Sequence, residues 1–238
     1  NAGDGNTGNN VIAIGGNAGE SNGGDYNNFI GHGTGNGNTG NFVDAIGSNA
    51  AQNNIGNYLN AIGLSAAYGN TGNHIAAIGN NAANGNTGSN ISAIGYSAAQ
   101  NNIGNYLNAI GLSAAYGNTG NHIAAIGNNA AYGNTGDYLN AIGFNAGRNN
   151  TGSSNSAFGA SALFGNTGEN VVGIGGSAGL NNIYNNVNLF GVSSNATANA
   201  QTVFSKDGSI MARIGYGNLT ASRLYTLPDS SGTVALTS

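Results

Sequence analysis

Few groups in this chain could do chemistry, and their spacing limits what chemistry that would be. Eight carboxylates, Asp4, Glu20, Asp25, Asp44, Asp137, Glu169, Asp207 and Asp229, are scattered along it. Glycoside hydrolysis needs two carboxyl groups held several ångströms apart, and only Glu20 and Asp25, joined by Asp44 one strand later, come near one another. Solvated charges that keep the surface soluble are the simpler reading. Calcium-binding rolls use an Asp-bearing, Gly-rich nonapeptide because a hard cation takes carboxylate oxygen, whereas the turns here carry Asn and Thr. His74 and His122 occupy equivalent places. Stacked strands would put them about 14 Å apart, too far to share one metal. Three copies of one His on a threefold axis could hold an ion, but packing at a strand end explains them more simply. No metal and no cofactor is expected, and no enzymatic activity.

Two residue rows suggest binding instead. Tyr26, Phe42, Tyr58, Tyr106 and Tyr138 follow a recurring Asn-Thr-Gly segment, and Tyr68, Tyr116, Tyr132 and Phe164 precede it. An aromatic face stacks on a pyranose ring while amides bond its hydroxyls, so Tyr58, Tyr106, Tyr138, Tyr68, Tyr116 and Tyr132 are the candidate glycan contacts. The competing reading is that these rings only shield neighbouring turns of the chain. Thr7, Thr39, Thr71, Thr87, Thr119, Thr135, Thr151 and Thr167 form a second row, as in ice-binding solenoids, but Gly23, Ile55, Ile103 and Ile183 interrupt it and no paired Thr grid exists. No thermal hysteresis is expected.

The elements that must position these residues are set by a strict period. Glycine recurs at one constant interval, at Gly15, Gly31, Gly47, Gly63 and onward to Gly191, preceded by Ile in ten copies and by Phe158 and Phe190 in the other two. Alanine follows three places later from Ala18 to Ala178, with Thr34 and Ser194 departing. Twelve units without an insertion imply stacking, because one extra residue would misalign every ladder beyond it. The predicted fold is all-β, a parallel β-solenoid or β-roll over residues 1–194, of about 12 coils with about 16 residues in each. Residues 195–238 are expected to form a small C-terminal β module with turns at Gly208 and Pro228–Gly232.

In the type unit Asn70–Gly85, turns are expected at Asn-Thr-Gly, whose residues accept left-handed backbone angles, and at Gly79-Asn80-Asn81. Strands of about four to six residues should lie between them. Alternation puts Ile75 and Ala77 on one face and Ala76 and Ile78 on the other. Both faces are apolar, yet one thin roll covers only one of them. A second surface must cover the Ile row, and burying it is worth about 1.5 kcal/mol or more per side chain. An obligate homo-oligomer, most simply a homotrimer, is therefore expected. The invariant Asn at the first turn, from Asn6 to Asn182, should form an amide ladder that satisfies turn groups no sheet reaches.

With 44 Gly, one Pro, no Cys and 5% charged residues, the chain is neither ordinary globular nor typically disordered. Three of its four basic residues, Lys206, Arg213 and Arg223, fall in the last fifth. No basic stripe exists for nucleic acid, and no apolar run is long enough to span a bilayer. Residues 50–83 and 98–131 are identical, an offset of three coils that indicates duplication. Asn1-Ala2-Gly3 aligns with the middle of a unit, so the chain reads as a segment of something longer.

Val11-Ile12-Ala13-Ile14-Gly15-Gly16-Asn17-Ala18 and the stretch His122–Ala130 resemble the head repeats of trimeric autotransporter adhesins. That resemblance implies a left-handed, trimeric parallel roll, although the usual unit of that family is slightly shorter than the one here. Asn150–Leu163 is similar to repeat blocks of phage tail-fibre proteins, and Tyr225–Ser238 resembles a short module common in such fibres, often placed before further domains. These resemblances imply an extracellular, structural and adhesive fibre segment on a virion tail or cell surface. Its partners would be two further copies of the chain and a cell-surface glycan or protein receptor. A bacterial adhesin head is the alternative, and a fibre-borne glycan-degrading enzyme or an ice-binding solenoid stands behind both.

Overall fold

The computed structural model describes residues 1–206 and 208–215. Asp207, Arg223, Asp229, the expected turn at Pro228–Gly232 and the stretch Tyr225–Ser238 lie outside them. The described chain is a parallel β-solenoid. Strand β1 (Ile12–Ile14) is followed by β2 (Asn28–Ile30) and β3 (Val43–Ile46), then by one short strand in every coil up to β12 (Val187–Phe190). All twelve pair in parallel, so that Ile46, Ile62, Ile78 and Ile94 stand in register. At one strand spacing per coil the rod is roughly 55–60 Å long.

The two strand faces separate as the alternation requires. In Leu59–Ile62, Leu59 and Ala61 are buried while Asn60 and Ile62 are exposed, and the pattern recurs along the rod. The core is narrow. Each coil contributes an aliphatic such as Ile75 with Ala77, Ala82 and Ala83, all buried. Where Asn27 takes the aliphatic place, Phe29 replaces the core Ala, and Gly19 and Gly35 make room for its ring. Where Asn155 takes it, Leu163 fills the space, and Gly173 and Gly179 yield to it. Core volume is thus conserved among neighbouring coils rather than at each position.

The rest of the coil corrects two expectations. Each coil has one strand rather than two, and the left-handed residues are not in Asn-Thr-Gly. They fall at His74, ahead of the strand, with φ of 57°, and then alternate through Asn81, Ala83 and Gly85, with φ of 56°, 51° and 65°, after Gly79 at 135°. Three overlapping turns result, closed by Ala82 N to Gly79 O, Asn84 N to Asn81 O and Asn86 N to Ala83 O at 3.2–3.3 Å. A positive φ at the second central residue is the signature of a type II turn. The alternation aims successive N–H groups at opposite neighbours. Asn81 and Gly85 donate to Leu64 and Tyr68 in the preceding coil, and Ala83 donates to Ala98 in the next, at 2.8–2.9 Å. The segment therefore satisfies its backbone as a sheet does, without being a strand. A left-handed conformation costs an L-residue roughly 1–2 kcal/mol, which the ladder offsets.

Glycine in Asn-Thr-Gly serves close approach instead of chirality. A Cβ on Gly72 would overlap the carbonyl oxygen of Gly88 in the next coil. At the other end, β13 (Gln201–Lys206) joins the same sheet in parallel with β12. It pairs Gln201 with Val187, a shorter step along the chain than the one from Val171 to Val187 before it. Strand β14 (Ser209–Gly215) then turns back antiparallel and ends the parallel stack, with a register shift between Phe204 and Ser205.

Candidate functional site

Several rows of side chains run along the rod. The first is buried. Each invariant Asn donates to the side-chain oxygen of the Asn one coil back and to a carbonyl two residues on. Asn102, for example, donates to Asn86 Oδ1 at 2.8 Å and to Gly104 O at 2.7 Å. The chain of amides is unbroken from Asn6 to Asn182. It does what the sequence reading expected of it, holding together a segment that no strand reaches.

A second polar row escaped the sequence reading. The backbone N–H of Asn57 donates to Asn73 Oδ1, that of Asn73 to Ser89 Oγ and that of Ser89 to Asn105 Oδ1, at 2.8–3.0 Å. Any side chain with an oxygen at this reach serves, so Asn, Asp and Ser alternate here and the row looks irregular in sequence. Asp25 and Asp137 belong to it. Each accepts a backbone N–H at 2.7 Å and a side-chain amide at 3.1 Å from the preceding coil, Asp25 from Asn9 and Asp137 from Asn121. Glu20 accepts from Asn36 at 2.9 Å, and Asp44 accepts from Asn28. These carboxylates are thus members of ladders. Among the described residues, no cluster of three or more His, Cys, Asp or Glu could hold a metal ion.

The aromatic residues form two rows instead of the one stripe expected beside the turn. Next to the second polar row, Tyr26, Phe42, Tyr58 and His74 stack ring on ring, with centroids 5.0–5.2 Å apart and planes within 3°. Tyr106, His122 and Tyr138 stack likewise at 4.7–4.8 Å. All seven side chains are exposed. The second row borders the overlapping turns. There Tyr116 stacks on Tyr132 at 5.0 Å, and the Arg148 guanidinium lies 5.0 Å from the Tyr132 centroid and 5.7 Å from that of Phe164. Tyr68 stands apart in this row, its hydroxyl 3.4 Å from Asn53 Nδ2. Stacking in both rows turns ring faces toward neighbouring rings. The faces open to a ligand are therefore those at the ends of each stack.

The outer strand face carries the Ile row. Ile14, Ile46, Ile78, Ile110 and Ile142 are each more than 40% exposed, and Leu64, Tyr96, Leu112 and Phe144 widen the band beside them. The row extends through Phe190 to Phe204, whose rings stack at 5.3 Å. The Thr row is exposed as well, wherever a coil carries its single Thr. A depression of about 280 Å³ lies where the shortened last coil meets the rod, lined by Leu180, Asn182, Ile183, Tyr184, Asn195 and Ala196. Among the described residues no helix is long and apolar enough to cross a membrane. No known family model matches the chain and no curated protein matches it, so its functional reading rests on these rows.

Proposed function

We propose that this chain is a structural and adhesive segment of an extracellular homotrimeric fibre, on a phage tail or a comparable appendage, that engages a host-surface glycan. The observation that carries the proposal is the Ile row, an apolar band running the length of the rod. Soluble monomers rarely expose contiguous apolar patches beyond a few hundred Å². Its occupant must present apolar groups at the same rise over the same length. Two further copies of the chain meet that demand at every coil, and a closed assembly leaves no copy uncovered. The left-handed winding and threefold symmetry of the adhesin-head resemblance complete the picture. Glycan contact is supported by exposed rings beside rows of amides, the pairing that sugar recognition uses. Sedimentation equilibrium of the purified chain is the test. A mass of three chains supports the proposal, and a stable folded monomer would refute it.

A further inference from the structure

The outer aromatic row is broken at one coil between two rings. His74 ends one stack and Tyr106 begins the next, and between them the row carries Asn90. The neighbouring polar row shortens in the same coil, to Ser89. The facing sides of His74 and Tyr106 therefore look at one another across two coil rises, about 9.6 Å. Ring planes turn by only 2–3° per coil in both stacks, which keeps the two walls nearly parallel. A ring inserted above Asn90 would stand one coil rise from each wall, at the spacing the row already uses.

The floor of this notch is polar and incompletely bonded. Among the described residues, the side chain of Asn90 makes no hydrogen bond. Asn73 accepts at its oxygen from Asn57, at 2.9 Å from the backbone N–H and 3.2 Å from the amide, but donates nothing from Nδ2. Ser89 Oγ accepts from the Asn73 backbone at 3.0 Å and keeps its own proton to donate. The corresponding break at Ser154 has a ring on one side only, Tyr138, with Asn170 on the other.

We infer that the notch over Asn90 is a sugar-binding slot that clamps one neutral, gluco-configured pyranose ring between His74 and Tyr106. The inference rests on the glycan-contact part of the proposed function. Two facing rings require a ligand that is apolar on both sides. In a β-linked pyranose with every hydroxyl equatorial, axial C–H groups cover both faces and the hydroxyls point outward toward the amides. An axial hydroxyl would press a polar group against one wall. Neither Lys nor Arg lies in the coils that form the notch, so no fixed cation there favours an acidic sugar over a neutral one.

The test is calorimetric titration of the intact chain with cellotetraose, and with β-1,4-mannotetraose, which differs by one axial hydroxyl per ring. Cellotetraose should bind at least about fivefold more tightly. Asn90→Tyr continues the stack with a residue the row already holds at Tyr58, Tyr106 and Tyr138, and should cut cellotetraose affinity at least about tenfold. His74→Asn removes one wall with a residue the same row tolerates at Asn90, and should weaken binding similarly. Phe42→Tyr, inside the stack with both ring faces covered, should change nothing. Absence of cellotetraose binding, equal binding of the two sugars, or unaltered binding by Asn90→Tyr and His74→Asn would each overturn the slot. Sedimentation of the same samples separates this failure from that of the fibre, since a monomer that binds cellotetraose through Asn90 refutes the trimer and leaves the slot standing.

Discussion

The side-chain amide of Asn118 donates to the side-chain oxygen of Asn102, one coil away, at 2.9 Å. Both residues are fully buried. Asn102→Ala would strip a donor from Gly104 O and Asn86 Oδ1 and an acceptor from Asn118 at once, and should cost about 2–3 kcal/mol. Asn102→Asp keeps the acceptor but buries a carboxylate against two oxygens, so its cost should be larger, about 3 kcal/mol or more. Guanidinium unfolding of the two variants checks the order.

Gly88→Ala should prevent local stacking. The added Cβ would overlap Gly104 O, which is backbone and cannot step aside. Gly176→Ala is the matched control, because its Cβ would meet nothing within 4 Å and its φ is not positive. Thermal melts should show a large loss for the first and no more than about 0.5 kcal/mol for the second.

Core compensation between Leu163 and Gly173 should appear as non-additivity. A Cβ on Gly173 would lie 2.7 Å from Leu163 Cδ2, so Gly173→Ala alone destabilises. In a Leu163→Ala background the same change fills a cavity. The double-mutant cycle should yield a coupling of roughly 1–3 kcal/mol, and a value near zero would show that the two sites relax independently.

Ile94 and Ile110 point away from the single-chain core and are 40% and 41% exposed. Replacing both with Asp should leave the fold of one rod nearly untouched while dissociating the trimer. Sedimentation velocity should then find monomers with a wild-type circular dichroism spectrum. A trimer of unchanged stability would show that the Ile row is not the contact between copies.

Arg148 should contribute to stability through its planar group more than its charge. Arg148→Ala removes contacts with two rings and should cost about 1 kcal/mol, and Arg148→Lys should recover less than half of it. Full rescue by Lys would point to charge alone.

Much of this architecture is legible in the sequence. The glycine period fixed the coil, the alternation at Ile75–Ile78 fixed its faces, and the invariant Asn announced a ladder. Three features were hidden for physical reasons. Ala83 carries no turn signal, yet it sits at φ 51° because its N–H is held by Ala98 in the next coil while those of Asn81 and Gly85 on either side are held by the preceding one. The polar row through Asn57, Asn73, Ser89 and Asn105 asks only for an oxygen acceptor, so its members vary in type and periodicity in composition conceals it. The rings of Tyr58 and Tyr138 were expected to offer their faces to a ligand. Stacking along the rod depends on their distance to the coil above, which spacing within one coil does not reveal.

The identical stretches 50–83 and 98–131 carry the stacked pairs Tyr58–His74 and Tyr106–His122, and Asn90 falls at the seam between them. Each additional copy of this three-coil unit would lengthen the rod by about 14 Å. A copy that took in the coil of Asn90 would also create one more ring, amide and ring sequence along the same edge, whereas the second copy now present carries Tyr138 at that place and continues its stack. Reach and valency would then grow by a single genetic event. A weak single-site affinity could be raised by copy number, through effective concentration along a rigid edge, without any change in the contacts at one site.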